Sequence, residues 1–384
     1  MAPGDPLNAS APVQAPGDER VEEGVALCLS GGGYRAMLFH VGALWRLNEL
    51  GYLAKLDRFS SVSGGSITAA TLGLHWSMLG FTANGVAEQF VSQVVTPIRA
   101  LASVTIDQGA VLGGIFTPRT TISDKVAAAY RRHLFGNATL QDLPDEPRFV
   151  LNATNLQTGV LWRFSKPYMA DYTIGMVPSP KVGLALAVAS SSAFPPVLSP
   201  ARLPLDPDEF ALGDRGPNFK PPFTTMAILS DGGVYDNLGL ETAWKRYRTI
   251  LVSDGGGQMA AEGKVATDWA RQAVRVNAVI DNQVRDLRKR QAIAGYSRGD
   301  RNGAYWGIRS NIGNFRPAGG TLPCDPVRTS VLAATQTRLK AMDDGLQQRL
   351  INWGYAVTDA AMRQWVVIGP DVSQAAFPYP IGIG

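Results

Sequence analysis

The sequence contains few cysteines and histidines, and this scarcity excludes several kinds of site. Its 384 residues include two cysteines, Cys28 and Cys324, so the chain has neither a disulfide framework nor the CxxC pair of zinc and redox sites. The three histidines are His40, His75 and His133, which excludes an HExxH metalloprotease helix. Because no histidine follows His133, the hydrolase order of nucleophile, acid and then histidine is barely available.

Long apolar runs and a strong net charge are also absent. No stretch reaches the ~18 consecutive apolar residues that predict a membrane-spanning helix. The formal charge of +4 is small for this length, so a nucleic-acid partner is not expected, although weak attraction to an anionic membrane surface fits it. Residues 1–20 hold four prolines and no aromatic residue, which predicts a flexible tail without a secretory signal. We therefore expect a cytoplasmic protein with, at most, peripheral and transient membrane contact.

The chain has enough apolar sequence for a large core. Hydrophobic residues make up 45% of it, and its length allows two or three domains at ~150 residues each. An apolar strand at 25–29, a glycine loop and a helical pattern over 36–50 are followed by a strand at 59–62 and a helix from Ser66. This alternation predicts an α/β fold with a parallel sheet between helices.

Further elements are predicted from the same patterns. Predicted strands cover 148–154, 161–164, 226–229 and 250–252. Predicted helices cover 181–190, 265–293, 333–351 and 356–365, with a short gap between the last two.

The first motif that points to chemistry is the glycine loop Gly31-Gly32-Gly33, which lies between a predicted strand and a predicted helix. Such a loop turns backbone N–H groups inward beside the positive end of the helix dipole, where they can hold a phosphate or an oxyanion. With Ala36, it also matches the pattern G-x-G-x-x-A of dinucleotide-binding folds. A tight structural turn is the third interpretation.

The second motif is Ser61-Val62-Ser63-Gly64-Gly65. A strand that delivers Ser63 into a sharp turn of small residues, followed by a helix, is typical of a nucleophile elbow. Ser61 stands where that motif usually has its first glycine. A serine at a helix N-cap is the alternative interpretation.

Two aspartates at the ends of predicted strands are candidates for a base. Asp231 and Asp254 each precede two glycines, and the carboxyl ends of such strands face the crevice in which α/β folds bind ligands. Asp236 and Asn237 are placed to brace the Asp231 loop through local hydrogen bonds. An aspartate beside a serine hydroxyl can take its proton directly, without a histidine.

These motifs, in their order along the chain, resemble those of the patatin-like phospholipases. The matching segments are Gly31 to Arg35, Val62 to Gly65 and Asp231 to Gly233, and the Ala/Ser-rich stretch 189–196, which ends in two prolines before Asp231, is similar as well. The resemblance implies a three-layer α/β/α fold with a mainly parallel central sheet. It places the catalytic domain at 21–258, which leaves 259–384 as a mainly helical extension packed on it.

Carried over to this sequence, the resemblance makes Ser63 the nucleophile, Asp231 the general base, and the amides of Gly31, Gly32 and Gly33 the oxyanion hole. It implies hydrolysis of acyl esters of phospholipids or related lipids, without a cofactor or a metal. Ser61 and Ala36 depart from family glycines, but both are small. Arg35 either orients the loop or meets a lipid phosphate.

Two alternatives remain open beside this prediction. A nucleotide-binding oxidoreductase would use Gly31-x-Gly33, but it needs an acidic residue at the end of the second strand. Asp57 lies before that strand, which ends at Ser63. The other alternative is a lipid-binding protein whose catalytic site is inactive.

Overall fold

A computed structural model describes residues 21–107, 121–367 and 375–384; the predicted tail 1–20 lies outside these ranges. In the described residues, one mixed sheet contains ten strands. They are β1 (Glu22–Leu29), β2 (Arg58–Val62), β3 (Arg148–Asn155), β4 (Val160–Phe164), β5 (Tyr168–Asp171), β6 (Gly175–Pro178), β7 (Ala201–Pro204), β8 (Met226–Asp231), β9 (Tyr247–Asp254) and β10 (Asn302–Gly307).

The α-helices of the described residues flank this sheet. They are α1 (Gly33–Glu49), α2 (Gly64–Leu74), α3 (Thr96–Ala102), α4 (Ile122–Tyr130), α5 (Leu184–Ser191), α6 (Gly233–Asp236), α7 (Glu241–Trp244), α8 (Trp269–Arg298), α9 (Pro326–Ala333) and α10 (Asp344–Trp365). Short π-helical turns at Val91–Val95 and Arg131–Phe135 adjoin α3 and α4.

The centre of the sheet is parallel, in the order β10-β9-β1-β2-β3. The antiparallel strands β4, β5 and β6 extend it beyond β3, and β8 also pairs with β3 and carries β7. Residues 26–29 of β1 are fully buried because both faces of the sheet are covered. The predicted α/β class with helices on both sides is confirmed, while β5, β6, β7 and β10 were not predicted.

The register of β3 brings distant parts of the chain together. Val62, at the end of β2, pairs with Asn152, and Asp231, at the end of β8, pairs with the next residue, Ala153. The residue after Val62 is Ser63. The sheet therefore places Ser63 and Asp231 side by side at one edge, although they are far apart in sequence.

The prediction of two helices at 333–351 and 356–365 is wrong: residues 334–343 are not helical, and the single helix α10 covers 344–365, including the predicted gap. It crosses α1 closely: a Cβ at Gly354 would lie 1.9 Å from the carbonyl oxygen of Phe39, and one at Gly42 would lie 1.9 Å from that of Ile351. Gly354 is thus a packing contact within a continuous helix. The predicted helix 265–293 is α8, which ends at Gly299 with φ 75°.

The segment 259–384 also contributes to the shared sheet. β10 pairs with β9, and α10 packs on α1, where Arg46 and Asp359 form a buried ion pair of 2.9 Å. The division into a catalytic domain and an extension stays a prediction. None of the helices in the described ranges has both the length and the apolar character required to cross a bilayer.

Candidate active site

Ser63 lies in a strained turn between β2 and α2. Its φ of 52° is in the left-handed region that non-glycine residues rarely adopt, and its side chain is almost completely buried. The turn is tight: a Cβ at Gly64 would lie 2.2 Å from the carbonyl oxygen of Gly33, and one at Gly65 would lie 2.3 Å from that of Leu29. The predicted sequence of strand, sharp turn and helix is confirmed at Ser63.

A chain of buried serine hydroxyls supports this turn. The Ser63 amide donates to Ser191 Oγ at 3.0 Å, and Ser191 Oγ donates to the Asn152 carbonyl oxygen at 2.6 Å. Ser66 Oγ lies 2.9 Å from Ser191 Oγ and 3.0 Å from Ser61 Oγ. Ser61, which replaces the first glycine of the motif, is therefore fully accommodated, because its hydroxyl is a member of this network.

Asp231 is anchored from both sides at the end of β8. Its amide donates to the Ala193 carbonyl oxygen at 2.9 Å, and Thr154 Oγ1 donates to its carbonyl oxygen at 2.8 Å. One carboxylate oxygen, Oδ1, accepts from the Gly233 amide at 2.7 Å. The other, Oδ2, is buried and accepts no hydrogen bond from the described residues. Asp231 therefore has one oxygen for orientation and one available for a proton.

The environment raises the pKa of Asp231 to about 7. Burial is the main cause, since it penalises the charged carboxylate, and the nearby charge of Asp281 adds to it. The hydrogen bond from the Gly233 amide and the nearby Ser63 hydroxyl lower the pKa in part. A carboxylate with a pKa near neutrality is suited to general-base catalysis.

Asp254, the other candidate base, has a different environment. Its Oδ2 accepts from Tyr305 at 2.8 Å and pairs with Lys289 at 3.0 Å, while Oδ1 accepts from the Gly256 amide. Burial raises its pKa, but Lys289, Arg285 and these hydrogen bonds outweigh burial and lower it to about 2. Asp254 is thus a fully engaged carboxylate outside the residues that line the cavity beside Ser63.

The glycine loop leads from β1 into α1, as predicted. The Gly31 amide donates to the Asn237 carbonyl oxygen at 3.0 Å. This amide is therefore already engaged and is not free to bind an oxyanion. In the described residues, the amides of Gly32 and Gly33 have no acceptor. Their φ values of 146° and 59° require glycine. The structure therefore leaves two of the three predicted oxyanion donors available.

Arg35 and Ala36 fix the position of this loop. Arg35 Nε donates to the Gly255 carbonyl oxygen at 3.1 Å, and its Nη1 donates to that of Thr335. A Cβ at Gly32 would lie 2.9 Å from the Ala36 Cβ, so the small alanine fits tightly against the loop. Burial, with a contribution from Arg285, lowers the pKa of Arg35 to about 10. These contacts favour an orienting role for Arg35.

A cavity of about 170 Å³ brings the predicted residues together. Ser63, Asp231, Gly31 and Gly32 line it, whereas Gly33 does not. The inner face of α8 and the loop after β9 cover it with Gly257, Gln258, Met259, Ala278, Asp281, Asn282 and Arg285. None of the three histidines lines this cavity.

The roles of three residues at the site did not follow in full from the sequence. Ser191 was part of the recognised Ala/Ser-rich stretch, but nothing local indicates that its hydroxyl meets the Ser63 amide. Asn237 was expected to brace the Asp231 loop, and it also holds Gly31. Arg285 belongs to no motif in the sequence, although the helical spacing of Ala278, Asp281 and Arg285 places them on one face.

Known structures resemble this one at low sequence identity. Human GIVD cytosolic phospholipase A2 matches with a TM-score of 0.49 and 13% identity, over 90% of this chain and 59% of the other. VipD from Legionella pneumophila matches with a TM-score of 0.34 and 15% identity, over 88% of this chain and 66% of the other. The chain thus spans less than two thirds of either matched chain.

Sequence comparison finds a match to a protein family but not to a single curated relative. No curated protein matches the sequence. The family profile described as Patatin-like phospholipase matches residues 27–244, a range that contains the glycine loop, Ser63 and Asp231. The chain therefore belongs to the patatin-like phospholipase family.

Proposed function

We propose that this protein is a serine hydrolase that cleaves acyl esters of phospholipids or related lipids through an acyl-enzyme on Ser63. The observation that supports this most directly is the pairing of the strained Ser63 with Asp231, whose Oδ2 is buried and unpartnered in the same cavity. Membership of the patatin-like phospholipase family supports a lipid substrate.

In the first half-reaction, the Asp231 carboxylate takes the proton of the Ser63 hydroxyl as Oγ attacks the ester carbonyl carbon. The amides of Gly32 and Gly33 stabilise the oxyanion that develops on the carbonyl oxygen. When this intermediate collapses, the bond to the alcohol breaks and protonated Asp231 returns the proton to the leaving alkoxide. The products are an alcohol or lysolipid and the Ser63 acyl ester.

In the second half-reaction, Asp231 takes a proton from a water molecule that attacks the acyl ester. The same two amides stabilise the second oxyanion. Collapse releases the carboxylic acid, and the proton on Asp231 returns to Ser63 Oγ. Removing one donor of such an oxyanion hole typically lowers kcat by ~10²–10³-fold.

The outer face of α8 supports access from a lipid surface. Trp269, Val276, Ile280 and Leu287 recur at spacings of four and seven residues, so they lie on one side of the helix. All four are exposed, Trp269 by 83%. Because the opposite side of α8 covers the cavity, we propose that α8 contacts the membrane during transient binding.

Labelling with an activated fluorophosphonate, together with a p-nitrophenyl butyrate assay, tests the dyad. Wild type should be labelled and active, Ser63→Ala should lose both properties, and Asp231→Asn should lose activity by at least ~10³-fold. Labelling that survives Ser63→Ala would disprove the nucleophile. Activity that persists in Asp231→Asn but is lost in Asp254→Asn would show that Asp254 is the base.

A further inference from the structure

His40 is a fully buried histidine of α1 with a hydrogen bond at each ring nitrogen, and it lies outside the residues that line the cavity. Its Nε2 lies 2.9 Å from the Ser30 carbonyl oxygen, and its Nδ1 lies 2.9 Å from Ser253 Oγ. Ser30 is the residue before the glycine loop, and Ser253 belongs to β9. The imidazole therefore connects α1 and β9 to the start of the glycine loop.

These two partners determine which ring nitrogen carries the hydrogen. A carbonyl oxygen only accepts, so Nε2 carries a hydrogen and donates it to Ser30. Burial lowers the pKa of His40 to about 4, although the bond to Ser30 and the charge of Asp254 act in the opposite direction. The ring is thus neutral near pH 7, and its Nδ1 accepts from Ser253 Oγ. His40 is held in one tautomer, with its N–H directed at the glycine loop.

The Ser30 carbonyl oxygen is the point where the glycine loop meets the turn at the nucleophile. It also accepts from the Gly65 amide at 3.1 Å, so both of its lone pairs are used. At the other end of the same peptide unit, the Gly31 amide donates to the Asn237 carbonyl oxygen at 3.0 Å. Because a peptide unit is planar, bonds at both ends fix its orientation. One of these bonds comes from the buried imidazole.

The amides that are available for an oxyanion follow directly after this peptide unit. Those of Gly32 and Gly33 have no acceptor in the described residues, whereas the next amide, that of Tyr34, donates to the Arg338 carbonyl oxygen at 3.0 Å. The two unengaged donors therefore lie between two anchored positions of the backbone. An oxyanion hole stabilises the transition state through donors that are already aimed at the developing charge, so the anchoring of this loop affects the rate.

We propose that His40 is a positioning residue of the oxyanion hole: its Nε2–H holds the Ser30 carbonyl oxygen and so aims the two unengaged amides of the glycine loop at the oxyanion. This inference rests on the proposed function and goes beyond the serine–aspartate dyad. His40 does not line the cavity, so it exchanges no proton with the substrate. Its contribution belongs to kcat, because the ester is not yet an oxyanion when it binds.

Two substitutions separate the hydrogen bond from the packing of the ring. His40→Gln keeps an N–H that reaches the Ser30 carbonyl oxygen, whereas His40→Met fills a similar volume without a donor. We expect His40→Met to lower kcat for p-nitrophenyl butyrate about tenfold or more with little change in KM, and His40→Gln to retain most of kcat. Phe39→Leu, at the neighbouring buried residue of α1, is the control for lost core packing and should keep kcat. Equal kcat values in His40→Met and His40→Gln would overturn the proposal.

A ketone inhibitor measures the oxyanion hole itself. Ser63 Oγ adds to the carbonyl carbon of a trifluoromethyl ketone while its proton passes to Asp231, and the carbonyl oxygen becomes an oxyanion. The matching methyl ketone, whose carbonyl is less electron-poor, measures binding without this addition. His40→Met should reduce the preference for the trifluoromethyl ketone about tenfold, whereas Phe39→Leu should keep it. A purely structural role would weaken both ketones alike and keep the preference, which contradicts the proposal.

Magnetic resonance and hydrogen exchange test the hydrogen bond without hydrolysis. The chain has three histidines, so nitrogen-15 labelling of histidine gives few ring signals, and the spectrum of His40→Gln identifies those of His40. We expect the Nε2–H tautomer in the wild type. An Nδ1–H tautomer or a charged ring at pH 7 would overturn the proposal even if His40→Met does not fold.

The Gly31 amide provides the matching readout of the loop. Its exchange should be about tenfold faster in His40→Met than in His40→Gln, because the peptide unit loses one of its anchors. If the tautomer and the exchange are as expected but no ester is hydrolysed, the proposed function fails and the anchoring of the loop by His40 stands. If esters are hydrolysed and the Gly31 exchange does not respond, the proposed function stands and this inference fails.

Discussion

The backbone amide of Ser63 donates a hydrogen bond of 3.0 Å to the side-chain oxygen of Ser191, at the end of α5. Ser191 Oγ also donates to the Asn152 carbonyl oxygen, so the hydroxyl ties the turn between β2 and α2 to β3. A buried N–H in a strained turn would otherwise have no acceptor. The Ala/Ser-rich stretch therefore holds the nucleophile in position from another part of the chain.

We expect Ser191→Ala to lower kcat about tenfold with a smaller change in KM, and to lower the free energy of unfolding by about 1–3 kcal/mol, because a buried N–H loses its acceptor. Esterase kinetics and urea unfolding would measure the two effects. Ser190→Ala is the matched control, since Ser190 Oγ donates only to the Leu186 carbonyl oxygen within α5. Equal effects in the two variants would argue against a role for Ser191 at the turn.

Because burial raises the pKa of Asp231 to about 7, the proposed base is protonated below neutrality. We expect kcat/KM for p-nitrophenyl butyrate to rise about tenfold per pH unit below this pKa and to level off above it. Asp281→Asn should move the inflection to lower pH, because the charge of Asp281 raises the pKa of Asp231. Asp286→Asn, on the same helix, should not move it. A flat profile between pH 5 and 8 would contradict this assignment of the base.

The same pKa predicts how Asp231 affects stability. The folded protein binds the Asp231 proton up to about pH 7, whereas the unfolded chain releases it near pH 4, so the free energy of unfolding falls as pH rises between these values. Asp231→Asn removes this dependence and retains an oxygen for the Gly233 amide. Its stability relative to wild type should increase between pH 4 and 8, by up to about 4 kcal/mol at ~1.4 kcal/mol per pKa unit.

Urea unfolding at both pH values would measure that difference. Asp231→Asn should remain inactive at either pH, so stability and activity change in opposite directions at pH 8. A difference between the variant and wild type that is the same at pH 4 and pH 8 would show that the pKa of Asp231 is not raised.

The outer face of α8 leads to a prediction about membrane binding. Replacing Trp269 and Ile280 by serine should weaken binding to phospholipid vesicles at least about tenfold, because burying two such side chains contributes several kcal/mol. Vesicle sedimentation would measure this, while hydrolysis of soluble p-nitrophenyl butyrate should be retained. Leu212→Ser is the control, since Leu212 is 80% exposed but lies outside α8. The same loss in Leu212→Ser would indicate that general hydrophobicity, not α8, causes binding.

Several features of the fold and the site followed from the sequence alone, because they depend on neighbouring residues. The alternation of apolar strands and amphipathic helices determined the α/β class. Ser63 before two glycines determined a sharp turn, since larger residues would collide with the carbonyl oxygens of Gly33 and Leu29. The helix break placed near residue 354 was wrong because spacing does not reveal that Gly354 packs against Phe39.

The tertiary structure decided what depends on contacts between distant residues. Asp231 and Asp254 have nearly the same local sequence, but burial leaves one with a pKa of about 7, while Lys289 and Tyr305 help to lower that of the other to about 2. Only folding reveals that the Asn237 carbonyl oxygen occupies the Gly31 amide and that Arg285 is buried beside the cavity. The sequence alone therefore determined the chemical groups at the site. Their protonation and availability depended on the tertiary structure, because burial and partners arise only when the chain folds.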